Sequence, residues 1–453
     1  MKFKNSIIGG ATALGIGAFV SKLLGALYRI PLTNMLGSSG LGLYQMVFPV
    51  YCLLLDFSGA GVPNAMAKLI AETDKNEKQN KAFNYLKSSI ILLFCFGIIG
   101  TLFMSLFSGT ISRFQGNQDA KLAYLFLSPS VLLVCLISCY RGYFQGFMDM
   151  KPTAISQIIE QVIKLILGLI LVGIFSFNLV LAVSGATLAI SVSEVVALIY
   201  LIVVYKKRKV KVENSFIERK NHFGYHAKKI IKTTIPITLV GIILPISHVV
   251  DTFLTVNIIG QYRTDATALF GLFSGAVMTV INLPVSICYG LSAVSIPAVS
   301  SSKDEEEKDR KAKNVVLLTT VISFAFFVGC FIFAPIIINI LFRSLSNEEK
   351  RLAVNLLRFT SPCILLLSLV QTLNSVLIAK GRTYIPLASL SVGVAVKILL
   401  CVVLFKRPEI NIYGSAIALI ACYFIVCLIN LIVVFKFKVR NANACNYNRQ
   451  YAN

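Results

Sequence analysis

Two cations stand seven residues apart in SKLLGALYRIP (21–31), inside the first long apolar stretch of the chain: Lys22 and Arg29. Seven residues make two helical turns, so the pair shares one face of a helix. A positive face within an apolar helix can neutralise an anion, pair with an acid on another helix, or send its side chains to a lipid headgroup. Four further cations lie within apolar stretches, Arg141, Lys164, Arg358 and Lys397, together with four acids, Asp56, Glu160, Glu194 and Asp251. The surplus is positive, which suits an anionic ligand. Lys22, Arg29, Lys164 and Lys397 are therefore the candidate substrate-binding residues. Asp56, Glu160, Glu194 and Asp251 are the candidates for coupling or gating.

Each has a plainer alternative. Glu160 and Lys164 are four apart in the favourable order for a helical ion pair, so they can simply neutralise each other. Arg29, Arg141 and Arg358 lie within about two turns of an apolar stretch's end and can reach a headgroup. An acid–base pair that locks a helix bundle is the structural alternative for the others.

The elements that carry these residues are membrane helices. Of the 453 residues, 56% are hydrophobic, and the mean hydropathy is +0.78. Apolar runs long enough to cross a hydrocarbon core of ~30 Å recur from end to end. The fold class is an all-α polytopic membrane protein. Twelve spans are expected, near 6–33, 41–67, 88–112, 122–147, 152–176, 179–205, 230–258, 267–299, 315–342, 352–379, 384–405 and 411–435. With the N-terminus inside, the inner segments hold 29 of the 43 Lys and Arg and the outer segments 8. That asymmetry places both termini in the cytoplasm, in a multi-pass protein of the plasma membrane. The net charge of +23 is then an orientation signal, with no nucleic-acid partner implied.

The segment 206–232 carries ten Lys/Arg and two Glu and divides the chain near its middle. SPSVLLVCLI (128) answers SPCILLLSLV (361), ISQIIEQVIKLIL (155) answers ASLSVGVAVKILL (388), and YLIVVYK (200) answers NLIVVFK (430). GAGVPNAMAKLIAETDKNE (59) weakly answers YGLSAVSIPAVSSSKDEEE (289). Matches in one order at a nearly constant offset indicate an internal repeat. The expected domains are a six-helix lobe over 1–207, a basic linker over 208–229, a second six-helix lobe over 230–440 and a tail over 441–453. Six spans per copy give both lobes the same orientation, with the substrate site expected between them.

Polar residues mark the inward faces. Gln157, Glu160, Gln161 and Lys164 recur at helical spacing, as do Ser184, Thr187, Ser191 and Glu194. Backbone breakers cluster too: FSGAGVPNAM (57–66) follows Asp56, and Pro236, Pro245, Pro284 and Pro297 interrupt two later spans. Irregular backbone at membrane depth belongs where it is buried in protein or lines a cavity. Cys135 and Cys139, like His222 and His226, are four apart, but neither pair has further ligands at metal-site spacing. No metal and no cofactor are expected. There is no GxxxxGK[ST] phosphate loop and no nucleophile–base constellation, so the chain reads as a transporter and not as an enzyme.

SKLLGALYRIPLTNMLGSSGLGLYQMVFPVY (21–51), followed by GAGVPNAMAKLIAE (59–72), resembles the opening of the stage V sporulation protein B (SpoVB)-like polysaccharide transporters. These belong to the MOP superfamily, beside the MurJ and Wzx flippases and the MATE exporters. The resemblance is strong over 21–72 and looser elsewhere. It implies a flippase moving an undecaprenyl-pyrophosphate-linked saccharide from the inner to the outer leaflet by alternating access, as a peptidoglycan or spore-cortex precursor. It also implies that cationic residues of the first helix line the cavity; Lys22 matches such a position and Arg29 lies close to another. MurJ-like relatives have two further C-terminal helices associated with a lipid-tail groove, beyond the twelve spans expected here. The expected partners are the bilayer and a lipid-linked anionic glycan, with a coupling cation left open. The alternative is a MATE-type cation-coupled multidrug exporter. It would want a carboxylate in the first span, which holds only cations, and Asp251 is the acid that suits it. A major-facilitator transporter would show a GxxxDRxGRR-like loop, which 68–83 lacks.

Overall fold

The computed structural model describes residues 2–56, 61–73, 78–208, 223–288, 305–380, 382 and 384–450. Every regular element among them is helical. Helix α1 (Lys2–Leu55) is followed by α2 (Val62–Ala71), α3 (Lys78–Leu106), the short α4 (Ser108–Phe114), α5 (Lys121–Gly146), α6 (Lys151–Ile174) and α7 (Leu179–Arg208). Then come α8 (Phe223–Gly241), α9 (Ile243–Ile259) and α10 (Ala266–Cys288). The rest are α11 (Glu305–Ile332), α12 (Ala334–Leu341), α13 (Asn347–Thr360), α14 (Pro362–Ala379), α15 (Tyr384–Leu404) and α16 (Tyr413–Gln450).

Ten helices among the described residues are long and apolar enough to cross a membrane. The twelve spans expected from sequence follow once α1 is read as two spans and α8 with α9 as one more. Gly37 takes φ 65° and ψ −173° inside α1, a conformation open to glycine and strained for any residue with a Cβ. The chain turns there into two arms. The seventh expected span is formed by α8 and α9, separated at Ile242. Val62 begins α2 with Pro63 in its first turn, where proline's missing N–H has no partner to lose. Pro152 and Pro362 open α6 and α14 the same way. The expected interruption at Pro297, the 289 repeat segment and most of the basic linker lie outside the described residues.

The surface is turned inside out relative to a water-soluble fold. Ile99, Leu102, Phe103 and Leu106 are exposed along α3, and Leu317, Val321, Phe324 and Phe331 along α11. Bands of apolar side chains facing outward are what a hydrocarbon solvent accepts. Hydroxyls turn inward and bond to their own helix: Ser184 Oγ donates to Val180 O at 2.7 Å and Ser193 Oγ to Ile190 O at 2.7 Å. These buried hydroxyls are thus satisfied locally.

The described chain falls into two compact units: Met1–Ala276 with Phe342–Leu345, and Val277–Leu341 with Ser346–Asn453. In the first, the second arm of α1 lies backbone to backbone on the start of α10. A Cβ on Gly42 would collide with the Thr267 carbonyl oxygen, and one on Gly271 with that of Ser38. Gln45 Nε2 donates to Ser274 O at 3.0 Å beside this contact, within a π-helical turn over Gly271–Val277. Just before α10, Arg263 donates two hydrogen bonds of 2.7 Å to Asp265, which hold that carboxyl below the usual range. In the second unit, α15 packs on α16 through Gly393, opposite Val426 and Cys422. Asn430 Nδ2 donates to Asn374 Oδ1 at 2.8 Å, and Lys380 Nζ to Asp309 Oδ1 at 2.5 Å.

Candidate functional site

The first arm of α1 and helix α6 run side by side in the same direction, held close by small residues. Gly17 faces Ala154, Gly25 faces Gln161, and Gly168 leaves no room for a Cβ beside the Tyr28 hydroxyl. This register sets Arg29 of α1 and Lys164 of α6 at one depth. Lys164 lies near the middle of the 24-residue α6. Its Nζ stands 5.9 Å from the centroid of the Tyr28 ring, a contact that favours a cation over an aromatic face.

Both side chains are half-buried. Lys164 feels the charges of Glu160, Arg29 and Glu194, so the two cations act on each other. Among the described residues neither is in a salt bridge. Ser21 Oγ on α1 and Gln157 Oε1 on α6 are buried without a hydrogen-bond partner. Two cations without a salt bridge among the described residues, with unpaired polar atoms about two turns away on the same two helices, form a place where an anion would gain charge-assisted hydrogen bonds. Lys22 lies two turns before Arg29, near the level of Gln157 in the same register; its side chain is outside the described residues.

The expected Glu160–Lys164 neutralisation does not form. Glu160 Oε2 instead accepts from Arg141 Nη2 at 3.1 Å, and Oε1 accepts from Gln161 Nε2 at 3.3 Å. The reason is tertiary: α5 brings a guanidinium to the carboxylate, and a planar fork binds it better than a flexible ammonium does. Arg141 is therefore not a headgroup anchor, as its place near the end of α5 suggested. Its Nε donates to Ser156 Oγ at 3.0 Å, which directs the side chain along α6. Arg358, by contrast, is exposed in the last turn of α13.

Glu194 of α7 is 1% exposed. Its Oε1 accepts from the Tyr51 hydroxyl at 2.5 Å, and Oε2 has no hydrogen-bond partner among the described residues. Sequence reasoning overlooked Tyr51, because a tyrosine in an apolar run reads as part of the lipid-compatible pattern. Its only signal is the turn it occupies, with Cys52 and Asp56 following. Asp56 ends the second arm of α1, half-buried, with its carboxyl 3.8 Å from where a Cβ on Gly241 would lie. Asp251 of α9 stands 3.7 Å from His248 Nδ1. Lys397 belongs to the second unit, where it is 5% exposed and engaged. Arg29, Lys164, Glu160 and Glu194 thus gather on neighbouring helices of the first unit, while Asp56 and Asp251 lie at separate points.

Comparison with known proteins gives two family matches. The model of the family described as polysaccharide biosynthesis protein matches residues 7–303, and that described as lipid II flippase MurJ matches residues 289–451. Stage V sporulation protein B of Bacillus subtilis (strain 168) is 27% identical, over 96% of this chain and 84% of that protein. Among solved structures, an inward-facing MATE-family multidrug transporter of the MOP superfamily superposes with a TM-score of 0.77. It is 16% identical, over 94% of this chain and 96% of the other. Lipid II flippase MurJ, in its inward closed conformation, superposes with a TM-score of 0.73. It is 17% identical, over 93% of this chain and 87% of the other. At these identities the structures establish the fold, which is that of the MOP transporters.

Proposed function

The chain belongs to the polysaccharide biosynthesis protein family of the MOP superfamily, and on that premise we propose that it is a lipid-linked glycan flippase. The cargo is an undecaprenyl-pyrophosphate-linked saccharide, a peptidoglycan or spore-cortex precursor. It moves from the inner to the outer leaflet of the plasma membrane by alternating access. The observation that carries this reading is the Arg29–Lys164 pair, two cations on facing helices with no salt bridge among the described residues. A charge left in hydrocarbon is costly, and a pyrophosphate would relieve two at once. Lys22 shares the helix face of Arg29 and completes the proposed contact, and Lys397 is proposed to serve the same cargo from the second unit. The names of the relatives, a lipid II flippase and a sporulation protein, support the substrate class.

Outward movement of an anion gains from a membrane potential negative inside, about 2.3 kcal/mol per charge per 100 mV. The cargo thus needs no ATP site. Asp56, Glu160, Glu194 and Asp251 are the residues proposed for coupling or gating, with a cation as the partner ion if one is used. Both termini are proposed to face the cytoplasm. The alternative, a MATE-type drug exporter, has the fold in its favour. It is disfavoured by the cationic character of the first span, which repels the cations such exporters carry.

The deciding experiment reconstitutes the protein in liposomes with a fluorescent undecaprenyl-pyrophosphate disaccharide. A membrane-impermeant reagent then reports which leaflet holds the probe. Protein-dependent exposure of inner-leaflet probe supports the assignment. Exposure no faster than in protein-free liposomes, with cationic dye export in the same vesicles, would favour the exporter.

A further inference from the structure

We propose that Arg141 is a positioning residue for the cargo site: by holding the Glu160 carboxylate, it keeps Lys164 available to an anionic headgroup. The inference rests on the reading that Arg29 and Lys164 receive the pyrophosphate.

Glu160 stands one helical turn before Lys164, in the order that favours pairing along an isolated helix. Left to local geometry, the acid would cancel half of the site's charge. In the folded chain each oxygen of the carboxylate has another hydrogen-bond partner. Oε2 accepts from Arg141 Nη2 at 3.1 Å and Oε1 from Gln161 Nε2 at 3.3 Å. Arg141 is itself held, since its Nε donates to Ser156 Oγ at 3.0 Å. The Ser156 hydroxyl in turn donates to Thr153 O at 2.7 Å, which leaves its lone pairs facing the guanidinium. Arg141 thus donates in two directions, through Ser156 to the Thr153 carbonyl and directly to Glu160. The Arg141 and Glu160 side chains are 15% and 21% exposed, shielded enough for the pair to hold its geometry. Lys164 is left over the Tyr28 ring without a salt bridge. A structural staple between α5 and α6 would need the Arg141–Glu160 pair too. It would not require the acid to be the one that stands a helical turn before Lys164.

The test measures binding of farnesyl pyrophosphate, a short polyprenyl pyrophosphate, to the full-length protein in nanodiscs. Arg141→Gln releases Glu160 toward Lys164 and is expected to weaken binding by about tenfold or more, the loss of one charge-assisted contact. The double variant Arg141→Gln/Glu160→Gln removes the competing acid and is expected to restore affinity to within about threefold of the unmodified protein, since Lys164 again carries its full charge. This neutral pair keeps similar shapes, so it decides the matter even if Arg141→Gln alone does not fold. A double variant that folds, by its thermal melt, yet binds as weakly as Arg141→Gln would overturn the proposal. So would full affinity in a folded Arg141→Gln. Lys164→Gln tests the underlying reading separately: unchanged binding there means that Lys164 is no cargo ligand, whatever Arg141 does.

Discussion

The Tyr51 hydroxyl donates a hydrogen bond of 2.5 Å to Glu194 Oε1, joining the second arm of α1 to α7 across 143 residues of chain. Glu194 is 1% exposed, so this phenol stands in for the water the carboxyl gave up. The bond ties the second arm of α1 to the helix that carries the most deeply buried acid among the described residues of the first unit. A change in what Glu194 carries, a proton or a cation, would be felt directly by that arm.

Removing the donor and neutralising the acceptor should therefore differ. Tyr51→Phe leaves a buried carboxyl without its partner and is expected to cost about 1–3 kcal/mol. Glu194→Gln keeps an acceptor for Tyr51 and is expected to stay within about 1 kcal/mol of the parent. Thermal melts of the detergent-solubilised protein compare them. If Glu194 couples transport to protons, Glu194→Gln should still flip lipid but no longer respond to an imposed pH gradient in liposomes. A response equal to that of the unmodified protein would remove Glu194 from the coupling role.

The cation pair makes a prediction about function without stability. Arg29→Gln and Lys164→Gln are each expected to abolish flipping while membrane abundance stays at the parent level, since no salt bridge is lost among the described residues. Lys22→Gln is expected to do the same, and Lys22→Arg to retain part of the activity, because charge survives while hydrogen-bond geometry changes. Complementation of a flippase-deficient strain, with immunoblots of the membrane fraction, provides both readings. Normal growth with Arg29 and Lys164 both changed to Gln would end the claim that they bind the cargo.

The contact of α1 with α10 predicts opposite outcomes for two glycines. Gly42→Ala drives a methyl group into the Thr267 carbonyl, so the two helices must part. We expect a loss of at least about 1–3 kcal/mol, as for overpacking in a close-packed core. Gly329 lies in α11 with nothing within 4 Å of where a Cβ would be. Gly329→Ala should gain up to about 1 kcal/mol from helix propensity. Melting temperatures that move together would show that the close approach has no energetic weight.

Orientation is testable without purified protein. Single cysteines placed in a cysteine-free background at 215, in the basic segment, and at 264, before α10, should label oppositely with an impermeant maleimide in intact cells. The first should be protected and the second labelled, from the Lys/Arg asymmetry. The reverse pattern would invert the topology and with it the direction of transport.

Much of this molecule was legible along the chain. Apolar runs, the polar stripes and the breaks at FSGAGVP and before Pro245 announced a polytopic helical transporter, because the bilayer demands these features within each span. The cation surplus is likewise legible in the sequence, since each charge in hydrocarbon must be accounted for where it stands, and the anionic cargo is the proposal built on it. Pairing was different. Glu160 looked bound to Lys164, its neighbour one turn away, and Arg141 looked free to leave for a headgroup. Only the packing of α5 on α6 brought the guanidinium to the carboxylate, and only the glycine seam between α1 and α6 set Arg29 level with Lys164. Tyr51 and Glu194 are likewise far apart in sequence and meet because two helices do. Hydrophobicity and helical period act over a few residues and can be read locally. Which buried charge faces which depends on the depth and rotation of separate helices, and those are decided by side-chain packing among all of them at once.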